Sequence, residues 1–322
     1  MNGALLLGLF ILLRGSDSTL LKWLQQLGAA THAGGGPEVI SFCNVYFFSS
    51  LVSGLVLLVL DRRSVRVSWP RLSRQDQRCL ALQSFSGFFL GPVAFYLALD
   101  HLTVVQQTLL FSLTVPLTAL AAHWLLDEAL PRLFALSCVL ITAGLLLANQ
   151  QAMLHGAEQS LDLRGVLWAL VGVVAFAISG VVGRLNGQRG LGVGLTVGVN
   201  SLAATVVFAV IALVLFGPAH FLYLRQWWVL GVIGGYALVI TLGSQWSLMQ
   251  AYVRLGVVQV TFWASLTIVV SLLMAHVVLA EPLRGAAIGG AALILVAIAL
   301  VQFRPIRTAG PHALAGQRPP WA

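Results

Sequence analysis

LTVVQQTLLFSLT (Leu102–Thr114) returns later in the chain as LGVVQVTFWASLT (Leu255–Thr267). The match runs without a gap from 98–130 to 251–283 at a constant offset of 153, and 15 of the 33 positions are identical. Polar pairs recur that apolar composition alone would not match: Gln106/Gln259, Thr108/Thr261, Ser112/Ser265, His123/His276 and Glu128/Glu281. The chain is a tandem duplication, and the number of helices in each copy decides its kind.

Composition fixes the solvent. Hydrophobic residues make up 59% and charged residues 9%, against about 25% charged in soluble domains. Apolar runs of about 20 residues, long enough to span a bilayer, recur along the whole sequence. Lipid satisfies no backbone polar group, so the expected fold is an all-α, polytopic membrane bundle. Ten spans are expected, at roughly 3–27, 39–60, 79–99, 102–126, 131–149, 165–187, 191–216, 227–252, 255–280 and 282–303. Each copy then holds five helices, and an odd number sends the second copy into the membrane from the opposite side. The expected organisation is two inverted five-helix repeats, 1–149 and 165–303, joined by a loop at 150–164 and followed by a disordered cytoplasmic tail at 304–322. Inverted repeats are frequent in secondary transporters.

The basic residues test that topology. With the N-terminus in the cytoplasm, Arg62, Arg63, Arg66, Arg71, Arg74, Arg78, Arg132, Arg189, Arg254, Arg304, Arg307 and Arg318 fall on the cytoplasmic side. Only Arg164, Arg225 and Arg284 fall opposite, while Arg14, Lys22 and Arg184 lie within spans. This asymmetry obeys the positive-inside rule and places both termini in the cytoplasm, in a cytoplasmic (inner) or plasma membrane. The net charge of +8 is thereby a topology signal, and no nucleic-acid partner is expected. The Arg62–Arg78 loop also has the composition of a lipid-headgroup contact. Cys43, Cys79 and Cys138 have neither metal-ligand nor disulfide spacing and read as packing residues. MNGALLLGLFILL lacks the basic start and small-residue cleavage site of a signal peptide, so it is read as helix 1.

Glu128 and Glu281 precede helix starts, with Pro131 and Pro282 near the first turn. Acid there complements the helix dipole, and proline there loses no hydrogen bond. They are expected to be structural joints. Glycines four apart on helix 7 (Gly190, Gly194, Gly198) and helix 10 (Gly285, Gly289) are expected at close helix contacts.

These features resemble the drug/metabolite transporter superfamily, and within it the EamA-type ten-helix proteins. The first copy reads ALDHLTVVQQTLLFSLTVPLTALAAHWLLDEALPRLFALSCVLITAGLLL, on which Ala98, Leu99, Pro116, Glu128 and Gly144 fit the family pattern. The second reads AYVRLGVVQVTFWASLTIVVSLLMAHVVLAEPLRGAAIGGAALILVAIAL, with Glu281 at the joint. In helix 1, Gly15, Ser16 and Lys22 fit the family motif, while Arg14 stands for its Trp and Asp17 for its Asn. Ala177, Ile178 and Arg184 form a weaker second copy in which Arg184 corresponds to Lys22. The resemblance implies alternating-access transport of a small organic solute through a cavity between the repeats, with helices 5 and 10 as outer scaffold.

Arg14 and Asp17 are the sharpest candidates for a substrate or coupling site. A charge in mid-span costs at least about 2.5–3.5 kcal/mol, and an i,i+3 spacing lets the two pair on one face. The pair suits a zwitterionic solute or a coupling proton on Asp17; the competing reading is a self-neutralised pair. Lys22 and Arg184 would attract an anionic group or snorkel to an interface. His123 and His276 are coupling candidates because histidine titrates near neutral pH, or else they cap helix ends. Gln106, Gln259, Thr108, Thr261, Ser112 and Ser265 repeat on the expected cavity helices, where such groups also bond neighbouring helices. Tyr96, Tyr236, Gln245, Trp246 and Trp263 complete the expected lining, whereas Trp227 and Trp228 fit an interfacial belt.

No cofactor, metal or obligatory protein partner is expected. The function read from these residues is a secondary transporter of a small organic metabolite, such as an amino acid or drug-like solute, with a coupled proton or exchanged solute. A membrane enzyme acting on a lipid-linked substrate would need an acid/base or metal cluster, and no HExxH or G-x-S-x-G occurs. A non-transporting scaffold or sensor would not need duplicated polar positions.

Overall fold

The computed structural model describes residues 2–33, 40–126, 130, 133–154, 162–255, 260 and 263–302. Glu128, Pro131, Gln259, Thr261 and the expected tail at 304–322 lie outside these residues. Among the described residues the secondary structure is helical, with no strand.

The helices are α1 (Gly3–Ala33), α2 (Phe42–Leu60), the short α3 (Arg62–Ser68), α4 (Arg74–His101), α5 (Val104–Phe111), α6 (Thr114–Leu126), α7 (Phe134–Leu154), α8 (Leu163–Gln188) and α9 (Gly194–Phe216). Next comes α10, built of Trp227–Gly235, Tyr236–Leu242 and Gly243–Leu255, then α11 (Thr267–Leu279) and α12 (Gly285–Gln302). Among the described residues, seven helical stretches are long and apolar enough to cross a membrane, and Phe134–Ala148, Thr267–Leu279 and Gly285–Leu300 are shorter apolar helices. The chain is therefore a multi-pass, all-α membrane protein.

The packing keeps its pattern when the two sequence copies are exchanged. Helix α1 packs on α10 and α11, and its counterpart α8 packs on α4 and α6. Two further large contacts, α2 with α9 and α7 with α12, pair each helix with its own counterpart, and α2 on α10 is mirrored by α9 on α4. This is a pseudo-twofold relation between the repeats. Where α7 meets α12, a Cβ on Gly290 would lie 2.4 Å from the Gly144 carbonyl oxygen. Only glycine admits that backbone approach, which is the close packing expected of small residues in membranes.

Several boundaries and contacts differ from the sequence reading. Helix α1 continues past residue 27 to Ala33. Gly190 is not on a helix: it has φ 77° and ends α8, with the Gly190 and Leu191 N–H groups donating back to the Gly187 and Asn186 carbonyls. That left-handed Schellman cap suits glycine because it has no Cβ to clash. Gly285 meets nothing within 4 Å, and a Cβ on Gly289 would touch only the Leu147 side chain at 3.3 Å. One residue is about 100° of helix rotation, so it is Gly290 that faces α7.

The expected single span 102–126 is two helices, α5 and α6, separated at Ser112–Leu113. At the break, Leu113 and Val115 donate to carbonyls only three residues back, those of Leu110 and Ser112. Residues 263–264 and α11 are broken in the same way at Ser265–Leu266, with Leu266 and Ile268 donating to Trp263 and Ser265. Pro116 has no N–H to give Ser112, but the equivalent residue in the second copy is Val269. The break thus recurs without a proline.

Candidate functional site

Helix α1 carries Arg14 and Asp17 one turn apart within an apolar sequence. The Arg14 guanidinium pairs with Asp17 Oδ2, and the Tyr236 hydroxyl donates to Asp17 Oδ1 at 2.6 Å. Asp17 is 8% exposed; an unpaired charge at that depth would cost several kcal/mol. Here one cation and one phenol compensate it. Arg14 is less enclosed, its side chain 50% exposed, and it faces open volume.

Tyr236 begins the π-helical segment Tyr236–Leu242 of α10. A matching π segment, Ser84–Leu90, lies inside α4. Such segments rotate the following side chains off the α-helical stripe and frequently mark functional sites. In α4 the segment brings Gly87 against α8 so tightly that a Cβ there would lie 1.9 Å from Ser179 Oγ. By the register that pairs Lys22 with Arg184, Phe176 stands where Arg14 does and Ser179 where Asp17 does. The two copies therefore present different chemistry at equivalent places: charge on α1, an aromatic ring and a hydroxyl on α8.

Two cavities meet at these residues. The larger, about 590 Å³, includes Tyr46, Ser49, Ser53, Gln83, Ser179, Ser201, Ser244 and Gln245 among its lining. The smaller, about 460 Å³, is lined by Thr108, Ser112, Thr114, Ser265, Thr267 and Ser271 among others. Both volumes fall in the range of small-molecule sites. Arg14, Asp17, Phe95 and Phe176 line both. Phe111 bridges the two phenylalanines, with ring centroids 4.8 Å from Phe95 and 6.0 Å from Phe176. The helix breaks after Ser112 and Ser265 open into the smaller cavity, where Thr108 Oγ1 and Ser271 Oγ are hydrogen-bonded at 2.8 Å across α5 and α11. The larger cavity lies toward the end of the bundle that bears Arg62–Arg78, between the start of α4, the end of α8 and the start of α9.

Of the residues singled out by sequence, Arg14, Asp17, Thr108, Ser112, Tyr236, Gln245 and Ser265 line the cavities. Others lie elsewhere. Lys22 donates to the Leu99 carbonyl and, at 2.8 Å, to that of Leu102, so it caps the C-terminal end of α4. Gln106 forms a capping box with Thr103, its Oε1 accepting from the Thr103 N–H at 3.1 Å. Tyr96 is buried against the rings of Phe42 and Tyr46. Trp263 and Trp246 are a little under half exposed and line neither cavity, and Arg184 is exposed on α8. His276 Nδ1 lies 2.9 Å from the Glu281 carbonyl oxygen, and His123 is half-buried on the last turn of α6. Glu281 does cap a helix, but not the one it precedes. Its two carboxylate oxygens accept from Val104 and Val105 at the start of α5, in the other repeat. The left-handed Ala280 (φ 53°) turns the chain there, and α12 begins only at Gly285.

Sequence reasoning passed over Tyr46, Phe95, Phe176, Ser179 and the serine face of α2. The run Ser49-Ser50-Leu51-Val52-Ser53 held the signal for the last: small hydroxyls at i and i+4 on an otherwise apolar span.

The model of the EamA-like transporter family matches residues 29–150 and 163–303. The chain belongs to the EamA-like transporter family. One matched segment falls in each copy, the first beginning at residue 29, and the family makes the chain a multi-pass membrane transporter. A protein of Synechocystis sp. (strain ATCC 27184 / PCC 6803 / Kazusa), named as an uncharacterized transporter, is 24% identical over 306 residues, covering 91% of this chain and 84% of that protein. A solved crystal structure that is 18% identical shares the fold, with a TM-score of 0.54 over 90% of this chain and 95% of the matched one.

Proposed function

We propose that this EamA-like transporter carries a small organic solute, such as an amino acid or drug-like molecule, by alternating access, with Arg14, Asp17 and Tyr236 as its recognition centre. The observation that carries this reading is the meeting of the two cavities at Arg14 and Asp17. A solute in the larger cavity reaches an ion pair that is compensated when empty. A carboxylate on the solute competes with Asp17 for Arg14, and an ammonium group competes with Arg14 for Asp17. A zwitterionic solute that makes both exchanges at once keeps every buried charge paired, which is what low-dielectric surroundings demand. Protonation of Asp17 would release Arg14 in the same way, giving a route to proton coupling.

The pseudo-twofold supports the mechanism. If the repeats are inverted, exchanging their conformations moves the opening from one end of the bundle to the other about a fixed site. The proposed orientation puts both termini and Arg62–Arg78 in the cytoplasm of an inner or plasma membrane, so the larger cavity faces inward.

The test is a thermal-shift screen of purified protein against amino acids, sugars, nucleosides and cationic drugs, followed by flux of each hit in proteoliposomes. A ligand of the native state raises stability by RT ln(1 + [L]/Kd). The reading expects a hit that is transported by the native chain and lost in Asp17→Asn. A transported hit whose binding and flux are unchanged in Asp17→Asn and Arg14→Gln would move the site away from α1.

A further inference from the structure

A second open volume lies on the outside of the bundle, away from the solute site. It is a groove of about 590 Å³ between α4 and α9, walled by Leu80, Phe85, Phe89, Ala203 and Val207, with Trp69 at one end. Trp69 and Phe85 are 56% and 54% exposed, so the groove faces what surrounds the protein, which for a multi-pass chain is lipid. From Gln77 to Phe89 helix α4 rises roughly 18 Å, a little over half of a hydrocarbon core of about 30 Å. That is the reach of one acyl chain from headgroup level toward the midplane, and Trp69 sits where interfacial tryptophans sit.

The polar end of the groove is cationic. Gln77 and Ala81 line it, and Arg74 and Arg78 share their helical face at spacings of three and four residues. Arg71 adjoins Leu72, another lining residue. None of these three arginines is ion-paired among the described residues. The two nearby carboxylates are already engaged: Asp61 accepts from the Gly194 N–H at 2.7 Å, and Asp76 pairs with Arg189 at 2.9 Å. The duplication does not account for the cluster, because the equivalent positions in the second copy are Leu224, Trp227 and Gly231. A topology signal needs arginines at this end of the bundle but not at the mouth of an apolar groove.

We propose that this groove binds an anionic phospholipid of the surrounding bilayer, with one acyl chain between α4 and α9 and the phosphate held by Arg71, Arg74 and Arg78. Guanidinium groups bind phosphate by charge-assisted, often bidentate hydrogen bonds, and basic pockets beside membrane helices take anionic headgroups. The inner face of α4 carries Gln83 and Gly87 into the solute cavity, so the bound lipid braces that helix from behind.

The experiment is native mass spectrometry of the purified full-length protein titrated with phosphatidylglycerol and phosphatidylcholine of identical chain length. Phosphatidylglycerol is expected to bind about tenfold or more tightly. The exposed triple variant Arg71→Gln/Arg74→Gln/Arg78→Gln should lose the preference and keep the weaker phosphatidylcholine binding. Ala203→Trp, which fills the groove and leaves the arginines, should weaken both lipids. Glycerol phosphate, which has no acyl chain, should not compete. Equal binding of the two lipids by the native chain overturns the proposal, as does a preference that survives in the triple variant; competition by glycerol phosphate would make this a phosphate site rather than a lipid site. The native-chain comparison stands even if a variant does not fold.

Discussion

Glu281 Oε1 lies 2.8 Å from the backbone nitrogen of Val104, and Glu281 Oε2 lies 3.1 Å from that of Val105. The joint between α11 and α12 in the second repeat thus caps a helix of the first. The opening turn of α5 is fully accounted for: Thr103 Oγ1 accepts from the Gln106 N–H at 3.1 Å, and the Gln107 N–H donates to the Thr103 carbonyl at 3.0 Å. Glu281 supplies the two acceptors still missing.

Glu281→Ala should therefore destabilise the protein by about 1–2 kcal/mol, the range for losing a helix N-cap that also complements the dipole. Glu281→Gln keeps one acceptor oxygen and should lose less. Thermal unfolding in a neutral detergent measures both. An Ala variant as stable as the native chain would show that water or another side chain caps α5 equally well.

Tyr236→Phe removes one hydroxyl and leaves the ring, so it isolates the bond to Asp17. A hydrogen bond to a charged group contributes about 1.5–3 kcal/mol, roughly a ten- to hundredfold effect. The bond is present in the empty protein, so thermal stability should fall by about that amount, and if Asp17 is the recognition centre transport of the identified solute should fall as well, as a higher KM or lower rate. Native-like flux in Tyr236→Phe would remove the phenol from the site.

The two-copy architecture and the membrane were legible from sequence because both rest on long-range statistics: an offset of 153 with polar identities, and too little charge for water. The charged part of the candidate site stood out for a related reason, since Arg14 and Asp17 are conspicuous where charge is costly. What sequence could not give was the direction of side chains. Gln106 and Ser112 both recur in the second copy, yet one closes a cap and the other lines a cavity, because Gln106 lies in the first turn of α5 and Ser112 at its end, where the helix breaks. Lys22 looked like a ligand for an anion, and the negative groups it meets are the orphan carbonyls at the end of α4. Phe95 and Phe176 are chemically indistinct from the apolar residues around them, and only the packing of three helices gives them a position.

His220 offers a pH test outside the spans. It is 2% exposed, stacked on Phe216 at 4.3 Å, and its Nε2 lies 2.7 Å from Ser41 Oγ at the start of α2. Burial lowers its pKa below the usual 6.5. The unfolded chain then binds a proton that the folded chain resists, so this contribution is complete above about pH 6.5 and is lost as pH falls below that value. The native protein should lose more thermal stability between pH 7.5 and 5.5 than His220→Gln, which cannot titrate. Parallel pH profiles for the two would contradict this account.

The broken helices set the last test. A proline inside a helix ordinarily costs about 3 kcal/mol, chiefly by removing one hydrogen bond and crowding the preceding turn. At Pro116 that cost is already absent, because the Ser112 carbonyl accepts instead from the Val115 N–H at 3.2 Å. The second copy makes the same break at Ser265–Leu266 with Val269 in the proline's place. What the two breaks share is the sequence Ser-Leu-Thr, from which a different hydroxyl bonds a local carbonyl in each copy: Ser112 Oγ to Leu109 at 2.6 Å and Thr267 Oγ1 to Ala264 at 2.8 Å. Such bonds compete with the helical ladder. Pro116→Ala should therefore keep the break, changing stability by less than about 1 kcal/mol and leaving transport near native. Ser112→Ala withdraws the competing hydroxyl and should impair transport more than Pro116→Ala does. The reverse order would assign the break in the first copy to the proline after all.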